Sequence, residues 1–412
     1  MTQESITAGE SVGEETSGRN REQPGPVSRW EFEGSRWLVT GHEAVCAAAK
    51  NPGTFSSRHD LPNGSSPYLG VMVPATPIRG VPTEIDAPLH QEYRKILNSQ
   101  FSPTVVRAMA PRILEFTDWC IDQWVGTGEA DLFHGLAKLV PTMTVLDLLG
   151  LPVADAAIVA DAANLSGDDR FEPNKAFELL FARITETIAA RREKPEDDLL
   201  SRLVTAEIEG RPFTDMELVE LSFTMVIAGV SSTARLVLGT LSYLGAHPDR
   251  RTVLIEDPSR LATAMEEFLR FYSPAPFQSR TATEDVCFYG QDIKAGEWVA
   301  LSWAAANRDP EVFEDPTQIV LDRTPNRHLA LGHGIHFCLG GGLGKAEALT
   351  MVERVLSRIP DYRVREENRP ADGDGGLDGA IDWEARISRA LPVSFTPGTP
   401  VGTASFRLNS LF

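Results

Sequence analysis

Residues 331–340 read LGHGIHFCLG, a stretch in which three glycines surround a single cysteine, Cys338, directly ahead of a helix-compatible segment. Glycine lets backbone N–H groups approach the sulfur closely, and the start of the following helix adds positive dipole character. Both effects lower the pKa of the thiol and favour the thiolate form that binds a metal ion. A buried structural cysteine ahead of a helix would have the same local sequence, so this stretch alone leaves two interpretations open.

The segment resembles the haem-binding signature of the cytochrome P450 family, F-x-x-G-x-x-x-C-x-G. Gly334, Cys338 and Gly340 match the signature, whereas Leu331 stands where the family usually has Phe and keeps an apolar residue beside the porphyrin. The resemblance covers about residues 30 to 396. It implies haem b (iron protoporphyrin IX) as the cofactor, with the Cys338 thiolate as the axial ligand of the iron.

The residues after the cysteine depart from the family pattern. Residues 341–345 read GGLGK, where the family commonly has Ala-Pro-Leu-Ala-Arg. We expect the extra glycines to loosen the first helical turn by about 1 kcal/mol each relative to alanine. Lys345 keeps a positive charge on the side of the haem where an acidic ferredoxin would be expected to approach.

A second matching segment, AMEEFLRFYSP, lies at residues 264–274. Glu267 and Arg270 correspond to the family's E-x-x-R, and their spacing places both side chains on one helix face as an ion pair. In the family an arginine ahead of the haem loop completes this pair. The matching stretch here has Gln318 and Ile319 instead of the usual Arg and Phe, so we expect Arg323 or Arg327 to substitute.

Four hydrogen-bond donors match the family's contacts to the haem propionates: His90, Arg94, Arg280 and His336. His90 and Arg94 are four residues apart and so share a helix face. Each of the four, met in isolation, would be interpreted as ordinary surface charge. Together they would bind and neutralise the two propionate carboxylates of a buried haem.

The family's long central helix usually carries A-G-x-(Asp or Glu)-Thr over the haem. Here Ala228-Gly229 keeps the small pair that makes room for dioxygen, but Ser231 replaces the acid and Ser232 the threonine, with Thr233 following. Three interpretations remain: a proton relay through Ser232, Thr233 and water, a link supplied by a substrate hydroxyl, or a reaction outside the usual monooxygenase course. Alternatively, Ser231 and Ser232 only bond back to their own helix carbonyls and bend the helix.

The chain has 412 residues, of which 42% are hydrophobic and 24% charged, as in a folded globular protein. Between residue 40 and about residue 270 the hydrophobic periodicity is mostly helical, whereas Trp30–Thr40 predicts a β-hairpin and the last third contains short strands. Together with the resemblance, this predicts a mainly α-helical cytochrome P450 fold with small β-sheets. We expect a disordered leader over residues 1–27, one haem-thiolate domain over residues 28–396 and a flexible tail over residues 397–412.

The net charge of −19 disfavours nucleic acid or an anionic membrane as a partner. The four cysteines, Cys46, Cys120, Cys287 and Cys338, are far apart and predict a reducing compartment. The chain opens with no signal-peptide pattern, and no apolar run approaches the ~20 residues that span a bilayer. We therefore expect a cytoplasmic protein that does not bind a membrane.

The resemblance implies a monooxygenase of secondary metabolism that hydroxylates or otherwise oxidises a small or medium organic molecule. Electrons would come from NAD(P)H through a ferredoxin reductase and a ferredoxin, because the chain has no flavin-binding segment. Two alternatives stay open. One is a peroxide-driven or otherwise unusual haem-thiolate enzyme that performs coupling, rearrangement or reduction, and the other is a non-catalytic haem- or ligand-binding protein.

Overall fold

The fold is described from a computed structural model, which describes residues 25–31, 35–58, 70–71, 79–163, 173–365, 390–402 and 406–409. The α-helices account for about half of these residues. They are α1 (His42–Ala49), α2 (Leu89–Leu97), α3 (Pro103–Asp122), α4 (Leu139–Leu149), α5 (Ala156–Ala163), α6 (Pro173–Glu193), α7 (Leu199–Val204), α8 (Asp215–Ala246), α9 (Pro248–Glu256), α10 (Leu261–Tyr272), α11 (Trp303–Ala306) and α12 (Gly341–Arg358). The mainly α-helical prediction is confirmed.

The strands are short and form small sheets. They are β1 (Val27–Glu31), β2 (Ser35–Val39), β3 (Phe55–Ser56), β4 (Glu129–Asp131), β5 (Glu207–Ile208), β6 (Arg211–Pro212), β7 (Phe277–Ala282), β8 (Val286–Phe288), β9 (Gln291–Ile293), β10 (Trp298–Ser302), β11 (Arg363–Val364) and β12 (Pro392–Ser394). The largest sheet has the order β1-β2-β10-β7-β3, and β1 pairs antiparallel with β2, which confirms the predicted hairpin. The smaller sheets are β11-β12-β4, β5-β6 and β8-β9.

The longest helix, α8, runs through the interior. It begins with the capping box that Thr214 and Glu217 form, and it packs against α4, α6 and α12. Among the described helices it alone is long and apolar enough to cross a membrane, a finding that differs from the sequence prediction of no such run. Half of its apolar window is buried inside the protein, because neighbouring helices surround it.

Helix α12 positions the cysteine loop against this interior. It follows the loop directly and packs against α3, α8 and α10. Its buried face includes Leu343, Ala348, Met351 and Val352, which belong to the main hydrophobic core. The cysteine loop is therefore held on a helix that the core anchors on several sides.

The end of the chain makes specific contacts where it is described. The Phe406 ring lies 5.3 Å from the Phe116 ring and 5.8 Å from the Trp119 ring, both on α3. The Asn409 amide donates to Asp155 at 2.7 Å. This part of the predicted flexible tail thus packs on the domain, since Phe406 buries apolar surface that a polar tail would leave in water. Residues 1–24 of the predicted disordered leader lie outside the described residues.

Candidate functional site

The cysteine loop is shaped by its glycines. Gly332 and Gly334 adopt φ values of 74° and 73°, in the left-handed region that glycine enters without steric cost. A Cβ on Gly334 would also lie 2.4 Å from the Ala49 carbonyl oxygen at the end of α1, so only glycine allows this close approach. The loop then closes with the Cys338 N–H donating to the Leu331 carbonyl at 2.8 Å.

Cys338 is an exposed residue, although many protein atoms lie around its thiol. Burial raises the pKa of the Cys338 thiol, and hydrogen bonds from the Gly340 and Gly341 backbones and the charge of Arg94 oppose this shift. The sequence-based expectation of a lowered thiol pKa is therefore wrong in its net direction. The glycine contacts act as expected, but loss of hydration outweighs them.

The four predicted propionate donors lie close together beside this loop. The His90 and His336 rings have centroids 4.2 Å apart, and Arg94 Nη1 donates to the Phe337 carbonyl at 3.0 Å. Burial and the charges of Arg280, His90 and Arg94 lower the pKa of His336 to about 2. Burial also lowers the pKa of Arg280 to about 10. Positive charge in this cluster is therefore destabilised unless an anion lies beside it.

The cluster fits the haem that the sequence resemblance implies. Nδ1 of His90 and Nε2 of His336 are buried without a hydrogen-bond partner among the residues that the structure describes. The Arg280 guanidinium is buried and donates to the Ser279 carbonyl, a neutral acceptor, at 2.7 Å. Buried donors of this kind need acceptors, and two carboxylates between the rings and the guanidinium would supply them.

Sequence reasoning missed the residue that borders this cluster on the other side. The Asp86 carboxylate accepts from the Ser57 N–H at 2.9 Å and from the Ser56 hydroxyl, and it raises the pKa of both His90 and Arg280. An acidic residue four positions before His90, within one helical turn of it, was the available signal. Asp86 therefore partly balances the donors and ties α2 to β3.

The E-x-x-R pair is completed by Arg323. Glu267 and Arg270 are fully buried and paired at 2.8 Å, and Arg323 Nε lies 3.0 Å from the Glu267 carboxylate. Arg270 also donates to the carbonyls of Asn307, Pro316 and Gln318. Of the two predicted substitutes, Arg323 is thus the one that joins Glu267 and holds the segment ahead of the cysteine loop.

The glycine-rich start of α12 has a packing reason. A Cβ on Gly341 would lie 3.0 Å from Leu331 Cδ1, so the glycine and the leucine that replaces the usual Phe fit each other. Helix α12 still begins at Gly341. Lys345 pairs with Glu266 at 2.9 Å, and Glu266 also binds His328 at 2.9 Å. We expected the positive charge of Lys345 to attract an acidic ferredoxin. The Glu266 carboxylate neutralises part of that charge.

Helix α8 is partly exposed at its centre, over residues 228–232, and we call this stretch the α8 opening. Ala228 is exposed, and Gly229, Ser231 and Ser232 are half-buried, whereas the helix is mostly buried from Thr233 onward. Ser232 Oγ donates to the Ala228 carbonyl at 3.0 Å, and Thr233 Oγ1 donates to the Gly229 carbonyl at 3.2 Å. Ser232 thus makes the back-bond that the sequence left as one alternative, while its oxygen remains able to accept a second hydrogen bond.

A buried carboxyl group beneath this opening was also missed. Glu347 of α12 is 3% exposed, and burial raises the pKa of its carboxyl group, an effect that the nearby Thr144 and Thr233 hydroxyls oppose. Its signal in the sequence was an acid in the apolar stripe, midway between Leu343 and Met351 at four-residue spacing.

Comparison with known proteins agrees with this geometry. The family model "Cytochrome P450" matches residues 171–370. The chain is 34% identical to the steroid C26-monooxygenase of Mycolicibacterium smegmatis over 88% of this chain and 88% of that protein. It is 32% identical to the vitamin D(3) 25-hydroxylase of Pseudonocardia autotrophica over 89% of each.

The crystal structure of HmtN, a post-tailoring hydroxylase of himastatin biosynthesis, superposes with a TM-score of 0.77 at 29% identity, covering 92% of this chain and 95% of that one. The chain therefore belongs to the cytochrome P450 family and is a haem-dependent enzyme of the monooxygenase type.

Proposed function

We propose that this enzyme hydroxylates or otherwise oxidises a medium-sized, mostly apolar organic molecule of natural-product type, with O2 and with electrons that NAD(P)H supplies through ferredoxin reductase and ferredoxin. The observation that carries the proposal is the donor cluster beside Cys338, in which one ring nitrogen of His90 and one of His336 are buried with no hydrogen-bond partner among the described residues. These donors suit the two propionate carboxylates of a haem, and Cys338 beside them would supply the thiolate that binds its iron.

The proposed cofactor is haem b. Cys338 would hold its iron, and His90, Arg94, Arg280 and His336 would bind its propionates, while Leu331, Gly334 and Gly340 shape the loop around the sulfur. When bound, the haem supplies dioxygen activation, and the electron density of the thiolate favours O–O cleavage. The half-exposed centre of α8 would form the opposite wall, with Ala228 and Gly229 leaving room for dioxygen.

The proposed proton path runs through hydroxyl groups of α8. Monooxygenation consumes two protons for each product molecule, and a buried site needs groups that hold and pass them. Ser231, Ser232 and Thr233 supply three hydroxyls at the opening, and the Thr233 hydroxyl already bonds the Gly229 carbonyl. Ser232 can turn its hydrogen from Ala228 toward the exposed side of α8 at the cost of one helix back-bond.

The substrate class is supported by the relatives and by the opening itself. The compared relatives are named for a steroid and for vitamin D(3), and HmtN belongs to himastatin biosynthesis. Apolar Phe223 and Ile227 are partly buried on the turn of α8 ahead of Ala228. An apolar ligand matches such walls, since burying it releases water from both surfaces. The net charge of −19 disfavours a nucleic acid or membrane partner, and the four scattered cysteines favour a reducing compartment such as the cytoplasm.

A peroxide-driven reaction is the second candidate, and the observation that favours it is Ser231 at the position of the family's acid. Peroxide delivers oxygen that is already reduced and protonated, so a weak proton relay would suffice.

Binding and turnover test both candidates. Steroids, vitamin D(3) and macrocyclic natural products would be screened for a substrate-induced change in the haem spectrum, and the strongest binder would be incubated with NAD(P)H, ferredoxin reductase and ferredoxin. Product that depends on the complete electron chain supports the proposal. Product formed with peroxide, and none with the electron chain, would favour the second candidate.

A further inference from the structure

The chain continues past residue 396, where the resemblance to the family ends, and the structure describes residues 397–402 and 406–409 of this extension. We call these residues the C-terminal strap. The strap runs back along α3: the Gly398 N–H donates to the Val125 carbonyl at 2.8 Å, and Phe406 lies beside the middle of that helix. It ends at the residues that precede α5.

Polar and apolar contacts hold the strap on α3. The N–H groups of Val401 and Gly402 both donate to the Asp122 carboxylate at 3.0 Å. Farther along, the Phe406 ring packs against two aromatic rings of α3, and the Arg112 guanidinium lies 5.1 Å from its centroid. A cation over an aromatic face and buried ring surface both stabilise this contact. The strap is therefore fixed at two places before it reaches α5.

The end of the strap shares one carboxylate with α6. Asp155 directly precedes α5 and is 2% exposed. One of its carboxylate oxygens accepts the Asn409 side-chain amide at 2.7 Å, and the other accepts Arg183 Nε of α6 at 2.7 Å. The Asn409 N–H also donates to the Ala154 carbonyl at 2.6 Å. Because a buried carboxylate needs donors to replace its hydration, Asp155 joins the strap to α6.

The two ends of α6 are held differently. Its C-terminal end carries Arg191 and Arg192, which pair with Asp198 at 2.6 Å and with Asp215 at 2.8 Å.

The first turns of α6 pack in another way. Ala176 and Phe177 belong to a small apolar cluster with Ile158 of α5, and this cluster is separate from the main core. A segment with few contacts to the main core opens more easily than its surroundings. The hold of Asp155 on Arg183, six residues after Phe177, is thus important for the position of these turns.

The first turns of α6 lie beside the α8 opening. The Phe177 ring is 5.6 Å from the ring of Phe223, on the turn of α8 ahead of the opening. Phe223 belongs to the apolar wall of the proposed substrate site. A change in the position of α6 at Phe177 would therefore change that wall.

We propose that the C-terminal strap fixes α5 and α6 at the substrate site, with Asn409 as a positioning residue that acts through Asp155 and Arg183. This inference rests on the proposed function, in which Phe223 contacts the substrate. With the strap in place, Phe177 is held against Phe223 before a ligand arrives. Without the strap, a bulky ligand must order these turns itself, at a cost in affinity.

The strap should affect ligand affinity and leave haem binding unchanged. It meets α12 at Arg358, whose guanidinium donates to the Thr399 carbonyl at 3.0 Å. Arg358 is the last residue of that helix, whereas Cys338 precedes its first turn. The contact that the strap makes with α12 is consequently far from the thiolate.

Hydrogen exchange, measured by mass spectrometry on the haem-loaded protein without ligand, tests the hold on α6. The variants are Asn409→Asp, which places a second carboxylate beside Asp155, and a chain that ends at residue 405. Arg407→Ala, at an exposed residue of the same segment, is the control. Amide exchange over residues 173–183 should rise about threefold in both variants and stay unchanged over residues 184–193 and in the control. Exchange equal to that of the parent in both variants would overturn the proposal.

Affinity for two iron-binding probes tests the effect on the site. Imidazole is small, and clotrimazole is a bulky, apolar imidazole; both bind haem iron through a ring nitrogen and shift its Soret band. The Kd of clotrimazole should rise about fivefold in Asn409→Asp and in the shortened chain, with the Kd of imidazole and the haem content unchanged. A purely structural role would lower stability without separating the two probes.

A double-variant cycle tests the route through Asp155. Arg183→Gln should raise the Kd of clotrimazole as much as Asn409→Asp does, and the double variant should show no further rise, because both changes act on one carboxylate. A clotrimazole Kd in Asn409→Asp and in the shortened chain equal to that of Arg407→Ala would overturn the proposal.

The two proposals fail in distinguishable ways. If screened compounds bind and are turned over, but neither exchange in α6 nor clotrimazole affinity depends on the strap, the proposed function stands and this inference falls. If no screened compound changes the haem spectrum, the proposed substrate class falls, whereas exchange and the two probes still decide whether the strap fixes α6.

Discussion

The imidazole rings of His90 and His336 lie with centroids 4.2 Å apart and planes inclined by 53°, and each ring has a buried nitrogen with no partner in the described part of the chain. His90 comes from α2 and His336 from the cysteine loop, so residues far apart in the chain present donors to one place. Two neutral rings this close gain little from each other alone. The arrangement is stabilised when an anion accepts from both, which is why we assign it to the haem propionates.

Haem retention should depend on the buried cationic member of this cluster. Arg280→Ala should lower the haem content of the purified protein and leave the position of the ferrous-carbonyl band unchanged, because the iron ligand is untouched. Haem content by pyridine haemochrome assay is the measurement. Arg29→Ala, at an exposed ion pair on β1, is the control and should retain full haem. Full occupancy in Arg280→Ala would show that its charge does not bind the propionates.

The thiolate ligand should be Cys338 alone. Cys338→Ala should abolish the red-shifted Soret band of the ferrous carbonyl form, because no other cysteine borders the donor cluster among the described residues. Cys287→Ala removes an exposed cysteine on β8 and should leave the band unchanged. Loss of the band in Cys46→Ala, Cys120→Ala or Cys287→Ala instead would place the haem elsewhere.

Arg323 should be required for stability, whereas Arg327 should not. Arg323→Ala leaves the buried Glu267 carboxylate with fewer donors and should cost about 3 kcal/mol of unfolding free energy. Arg327→Ala should change it by less than about 0.5 kcal/mol, as for a surface substitution. Urea unfolding followed by circular dichroism measures both. Equal stability of the two variants would contradict the assignment of Arg323.

The hydroxyl of Ser232 should affect coupling more than stability. In Ser232→Ala, NAD(P)H should still be consumed, but more of it should appear as peroxide and less as product. Ser231→Asp should keep or improve coupling if the new carboxylate finds a partner. The measurement is product per NAD(P)H oxidised for the parent and both variants. An unchanged ratio in Ser232→Ala would exclude a relay through Ser232 and favour its role as a helix back-bond.

Stability should fall with rising pH because of Glu347. Its pKa is raised from 4.5 to about 8 on folding, so the folded protein holds a proton that the unfolded chain releases in this range. The parent should therefore lose stability relative to Glu347→Gln by about 1.4 kcal/mol per pH unit between these values. Below the lower value and above the higher one, the difference should be constant. Unfolding free energies of both proteins from about pH 4 to about pH 9 check this sign, and a difference that is flat throughout would mean that Glu347 is ionised in the folded state.

Local sequence determined the parts of this protein that depend on neighbours in the chain. The glycine-flanked Cys338 and the three-residue spacing of Glu267 and Arg270 are local patterns, and the structure contains both as predicted. The choice between Arg323 and Arg327 was open, because both lie in the same short segment and only the path of that segment past Glu267 separates them.

Tertiary structure decided what depends on contacts between distant segments and on loss of water. The net pKa of the Cys338 thiol is raised because burial exceeds the effect of its glycine neighbours, and no local pattern reports that balance. Lys345 is paired because α10 brings Glu266 beside it. Glu347 meets Thr144 and Thr233 only where α4, α8 and α12 cross, so its retained proton follows from a desolvated junction that the sequence indicates merely as one acid in an apolar stripe.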